Sequence, residues 1–127
     1  MAKKVLLVDD EVDFIEINKV ALEGKGYEVI AAYNGQEAVE KAHKEKPDII
    51  VLDVMMSRKT EGFDAARELR RQKETEGIPI LMLTAIRERM DIQYKIGPDK
   101  DWLPITEFIE KPLSPEKLVA KVEQMLR

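Results

Sequence analysis

At 127 residues, with 44% hydrophobic and 36% charged side chains, the chain is long enough for one domain with a real core and too apolar to be disordered. Its net charge of −4 argues against broad nucleic-acid binding, and the lack of cysteine excludes disulfides, thiol chemistry and thiolate metal sites. No apolar stretch approaches the ~20 residues of a membrane span, and the block Val5 to Val8 after Met1-Ala2-Lys3-Lys4 is too short for a signal-peptide core, so a soluble cytoplasmic protein is expected.

Val5-Leu6-Leu7-Val8 predicts a first strand that ends on Asp9-Asp10-Glu11. A helix is expected over 12–22, capped by Asp10, with Phe14, Ile17, Ala21 and Leu22 on one face and Gly24 and Gly26 to stop it. Residues 27–32 predict a second strand. Asn34-Gly35 marks a turn, and 36–46 a helix with Ala38, Val39 and Ala42 inward. Pro47 then opens Ile49-Ile50-Val51-Leu52-Asp53. An unbroken apolar run bounded by breakers is the mark of a strand buried on both faces, and this one closes on a carboxylate.

After a loop over 54–62, a third helix is expected over 63–74, with Phe63, Ala66 and Leu69 inward and Gly77 at its end. The charges Glu68, Arg70, Arg71, Lys73 and Glu74 read as a solvated face, and His43 on the preceding helix as solvent-facing. Residues 78–83 predict a fourth strand that closes on Thr84-Ala85, with Pro79 near its start. A short fourth helix is expected over 87–94. Two prolines and a glycine in 97–104 end it, so this helix is short or irregular. A fifth strand over 106–110 leads to Lys111-Pro112. The last helix starts at Ser114-Pro115, with Leu118, Val119, Val122, Met125 and Leu126 as its apolar stripe.

Five strands alternating with helices predict an α/β fold: a five-stranded parallel sheet in the flavodoxin-like order 2-1-3-4-5, with helices on both faces. Residues 1–127 are expected to form a single domain. Ligands gather at the carboxyl ends of such strands, and there the chain offers Asp9, Asp10, Asp53, Thr84 and Lys111. Carboxylates crowded together repel unless a cation sits among them. Oxygen ligands without His or Cys suit Mg2+, which keeps positions open for phosphate oxygens. A lysine and a threonine hydroxyl can hold phosphoryl oxygens, and a carboxylate in this setting is a plausible nucleophile forming an aspartyl phosphate. A nucleotide or flavin site is disfavoured, because Asp-Asp-Glu stands where a phosphate-binding loop would open the first helix.

Leu-Leu-Val-Asp9-Asp10-Glu11, Ile-Ile-Val-Leu-Asp53-Val-Met-Met, Leu-Met-Leu-Thr84-Ala85 and Lys111-Pro112-Leu-Ser-Pro follow one another in order. Together they resemble the receiver domain of two-component response regulators, of the stand-alone type without an effector domain. The resemblance covers essentially the whole chain. It implies a phosphoacceptor switch in which Asp53 takes a phosphoryl group from a histidine kinase or phosphotransfer protein. It implies that Asp10, Asp53 and the backbone carbonyl of Met55 hold Mg2+ with help from Asp9, that Thr84 and Lys111 bind the phosphoryl oxygens, and that Phe108 moves with Thr84. It also implies that the protein is not a turnover enzyme. Output would pass through contact with a protein target that the sequence does not name, without nucleic acid or membrane, by a monomer or weak dimer.

The chain departs from the family at Ser57, where proline is usual, at Gly62, one residue late, and in a longer stretch between Thr84 and Lys111. Residues 86–105 are expected to stay mobile until phosphorylation or binding. Met55 and Ile86 are apolar and orient no hydrolytic water, so slow self-dephosphorylation is expected. One alternative is a degenerate receiver that binds a partner without phosphorylation. Another is a phosphatase or phosphotransferase of the haloacid-dehalogenase type, which would want an acid where Met55 stands.

Overall fold

The computed structural model describes residues 2–53, 61–84, 106–110 and 114–126. The elements are β1 (Lys4–Val8), α1 (Val12–Gly24), β2 (Glu28–Ala32), α2 (Gly35–Glu45), β3 (Ile49–Asp53), α3 (Glu61–Arg71), β4 (Ile80–Thr84), β5 (Thr106–Glu110) and α4 (Pro115–Met125). All strand pairs are parallel and the sheet order is β2-β1-β3-β4-β5, as the alternation of elements predicts. The helix expected over 87–94 lies outside the described residues, as does the rest of 85–105.

Every residue of β3 is buried, which is why its apolar run is unbroken: one face meets α2 and α3, the other α1 and α4. Strand side chains alternate between the faces. Leu6, Val8, Ile50, Leu52, Ile80 and Met82 join Ala38 and Ala42 of α2 and Ala65, Ala66 and Leu69 of α3 in one layer. Val5, Leu7, Ile49, Val51, Leu81 and Leu83 join Ile15 and Leu22 of α1 and Leu118, Val119 and Val122 of α4 in the other.

The helix boundaries follow from local chemistry. Asn34 is more than a turn signal: its Oδ1 accepts from the Glu37 N–H at 2.8 Å, and the Glu37 carboxylate accepts in turn from the Tyr33 N–H, so orphan donors at the start of α2 are satisfied. That helix ends one residue earlier than expected, at Glu45. Lys46 adopts a left-handed φ of 49°, because the ring of Pro47 disfavours a further right-handed helical residue before it. Ser114 caps α4 as predicted, accepting from the Lys117 N–H at 3.3 Å.

Three expectations need correction. Asp10 does not cap α1: Glu11 is the N-cap and supplies no side-chain bond. The buried face of α1 is formed by Ile15, Asn18 and Leu22, whereas Ile17 is 56% exposed. Finally, α3 stops at Arg71, three residues early. Thr75 is fully buried and its hydroxyl donates to the Leu69 carbonyl at 2.6 Å, so a local side-chain bond replaces the helical ladder there. Arg71, Lys73 and Glu74 are exposed as predicted, whereas His43 and Arg70 are only partly so. His43 is half-buried with its Nδ1 2.7 Å from the Glu74 carboxylate. The Arg70 guanidinium nitrogens are buried without a hydrogen-bond partner among the described residues, and desolvation pulls that group's pKa down.

Asn18 is 3% exposed; its Nδ2 donates to the Phe14 carbonyl at 2.8 Å, and its Oδ1 meets no donor among the described residues. A buried acceptor left unpaired costs about 1–3 kcal/mol. Asn18→Leu, which keeps the branched outline at a larger volume and removes the unpaired acceptor, is therefore expected to raise stability by about 1 kcal/mol. The urea midpoint should rise with an unchanged slope; a fall would show that Oδ1 is satisfied by ordered water.

Candidate functional site

The sheet register builds the site. Val8 of β1 lies beside Leu52 of β3, so the next residues of the two strands, Asp9 and Asp53, leave the sheet on the same rung. Asp53 is beside Leu83 of β4, and Thr84 ends that strand one residue further on, beside Glu110 of β5. The backbone thus brings the carboxyl ends of β1, β3, β4 and β5 into one row, with Lys111 next in sequence after β5.

Asp9, Asp10 and Asp53 form one cluster: each offers a carboxylate oxygen, and these oxygens lie within 4.8 Å of one another. Asp9 and Asp53 are 1% and 4% exposed, while Asp10 is open to solvent. The depth of Asp9 follows from its backbone, whose N–H donates to the Ala32 carbonyl of β2 at 3.1 Å and so continues the ladder past the end of β1. Its Oδ1 accepts from the Glu11 N–H at 2.9 Å. That bond turns the chain from strand to helix and fixes the carboxylate near the positive end of α1. Sequence reasoning offered Asp10 as the helix cap; the acid whose side chain bonds the backbone there is Asp9. The signal was available, since Asp side chains characteristically bond the backbone two residues on.

Three like charges this close, two of them shielded from water, repel strongly. A divalent cation held by their oxygens relieves the repulsion. The donor set, hard carboxylates without His or Cys and with one side open to solvent, fits Mg2+ better than a softer metal. Of the other predicted site residues, Met55 and Lys111 lie outside the described residues, as do the apolar Ile86 and the departure at Ser57. Thr84 and Phe108 are placed by backbone alone, the first at the end of β4 and the second beside Met82 in β5. Among the described residues no helix is long and apolar enough to cross a membrane.

Comparison with known proteins bears on the same residues. The family model of the response regulator receiver domain matches residues 5–123. The chain is 43% identical over 129 aligned positions to the alkaline phosphatase synthesis transcriptional regulatory protein PhoP of Bacillus subtilis. That match takes in 100% of this chain and 50% of PhoP, so the chain spans about half the length of this curated relative. Among solved structures, the chemotaxis response regulator CheY4 of Vibrio cholerae superimposes with a TM-score of 0.81 at 34% identity, covering 99% of this chain and 100% of that one. A putative response regulator from Chloroflexus aurantiacus gives a TM-score of 0.80 at 30% identity, covering 99% and 98%.

Proposed function

The chain belongs to the response regulator receiver domain family, whose members are phosphoacceptor signalling switches, and from that premise we propose that Asp53 is its phosphoacceptor. Receiver domains bind Mg2+ at an acidic cluster and exchange phosphoryl groups with histidine kinases or phosphotransfer proteins. In this chain Asp9, Asp10 and Asp53 are the residues to hold the ion, with the Met55 carbonyl as a further ligand. Bound there, Mg2+ would neutralise charge on the cluster and on an incoming phosphoryl group.

The chain's own residues do the rest. A carboxylate oxygen of Asp53 attacks phosphorus; the new O–P bond forms as the P–N bond to the donor imidazole breaks, and the electron pair leaves with the imidazole. Thr84 and Lys111 take the phosphoryl oxygens, and Phe108 follows Thr84. The burial of Asp53 keeps bulk water from its far side. The product is an acyl phosphate on the protein itself, so the chain changes state rather than turning over a substrate. Residues 1–127 serve as one receiver domain in the cytoplasm, with a histidine kinase or phosphotransfer protein upstream and a protein target downstream.

The observation that carries this reading is the meeting of Asp9, Asp10 and Asp53 at the end of the central strand. A binding module indifferent to phosphorylation has no use for three mutually repelling acids, and nothing among the described residues favours that alternative. The test is incubation with a small phosphodonor, such as acetyl phosphate, with and without Mg2+, followed by peptide mapping. One phosphoryl group is expected per chain, dependent on Mg2+ and located on Asp53; a label elsewhere, or none, overturns the assignment.

A further inference from the structure

The sheet has two edges, and they are protected differently. On β5, Glu107 is exposed and paired with Lys121 of α4 at 2.6 Å. Charge on an edge strand is a common defence against pairing with another chain. On β2 the exposed Glu28 lies 4.0 Å from the Lys4 ammonium, but the run Val29-Ile30-Ala31-Ala32 after it carries no charge, has no proline and ends in two small side chains.

Hydrogen bonding shows which backbone groups of β2 remain open. The Glu28 N–H donates to the Lys3 carbonyl, and the Ala32 carbonyl accepts from Asp9. Residues 28, 30 and 32 therefore face β1, so the N–H and C=O groups of Val29 and Ala31 point away from the sheet. An exposed row of this kind is a template for strand addition. A second copy of the chain is the occupant always at hand, since its own β2 is complementary to this edge across a two-fold axis.

One of those outward groups is taken. Lys41, half-buried on α2, reaches over the edge and its Nζ donates to the Ala31 carbonyl at 2.5 Å. We propose that Lys41 guards the β2 edge, blocking antiparallel pairing of β2 with β2 of a second copy. It does so in two ways. The Ala31 carbonyl is already satisfied, so pairing has to break a charge-assisted bond. A two-fold pair would also bring two ammonium groups together while removing both from water. Such a guard leaves the acid cluster at the carboxyl ends of β1 and β3 unobstructed, because β2 pairs with β1 on the side away from β3.

The test compares self-association of the full chain by sedimentation across a concentration series. Lys41→Met keeps the aliphatic stem and removes the charge and the donor. Its association constant is expected to exceed that of the wild type by at least about tenfold, the factor that corresponds to ~1.4 kcal/mol. Lys41→Gln carries the same expectation, whereas Lys41→Arg and a Lys44→Met control should follow the wild type. In the associated variants the Val29 and Ala31 amides should gain hydrogen-exchange protection, while those of Glu28, Ile30 and Ala32 stay protected throughout. The proposal is overturned if Lys41→Met and Lys41→Gln associate no more than the wild type, if the controls associate as they do, or if association leaves the Val29 and Ala31 amides unprotected.

Discussion

Asp53→Asn is expected to lower labelling by acetyl phosphate by about 10³-fold or more, because an amide lacks the oxygen nucleophile that forms the acyl phosphate. Loss of activity alone would also follow from misfolding, so the second half of the expectation carries equal weight. Asparagine is nearly isosteric with aspartate and removes one of three charges that lie within 4.8 Å of one another. Without divalent cation the variant should therefore be more stable than the wild type at neutral pH, by about 1 kcal/mol once solvent and ionic screening are allowed for. Addition of Mg2+ should raise the urea midpoint of the wild type and have much less effect on the variant, since a ligand stabilises only the state that binds it. A variant that unlabels and destabilises together would instead point to a structural role for the Asp53 carboxylate.

Leu52→Ala tests the support beneath that acid. Leu52 is fully buried in the layer between the sheet and α2–α3, one residue before Asp53. Truncating a core leucine costs about 2–5 kcal/mol, a large share of the roughly 5–15 kcal/mol that holds a domain together. The urea midpoint should fall by roughly 1–3 M. Val39→Ala is the informative comparison. Val39 is only partly buried at the edge of the same layer, so its loss should cost distinctly less. Equal losses at the two positions would mean that the layer collapses around Leu52 and leaves no cavity.

The elements that sequence placed well are those in which one force dominates. β3 is buried on both faces, so its apolar run marks it without reference to anything else, and Asp53 stands out as the first charge after it. The start of α4 was equally plain, because Ser114 and Pro115 have meaning at a helix start and little elsewhere. The errors lie where two forces compete. α1 has Val12, Phe14, Ile15, Ile17 and Val20 around much of its circumference, so apolar spacing does not fix its phase. A buried Asn18 then places a polar residue on the core side while Ile17 and Val20 face solvent. The end of α3 was set by Thr75, whose hydroxyl finds the Leu69 carbonyl only once the chain has turned back, a contact no periodicity reveals. At the site, the carboxylates were legible as a set, but the division of labour between Asp9 and Asp10 depended on which backbone N–H lay in reach.

The cluster is lopsided: two acids are buried and Asp10 alone faces water. An approaching anionic phosphodonor meets that carboxylate before it reaches Asp53. In kinetic terms the naked site is a repulsive target, and salt that shortens the range of the repulsion should speed encounter with it. Once a divalent cation offsets two of the three charges the repulsion weakens, and the same salt should change the encounter rate much less. Ionic strength thus reads the charge of the site's mouth separately from the chemistry at its floor, and it assigns Asp10 a place in the traffic of the reaction as well as in its binding.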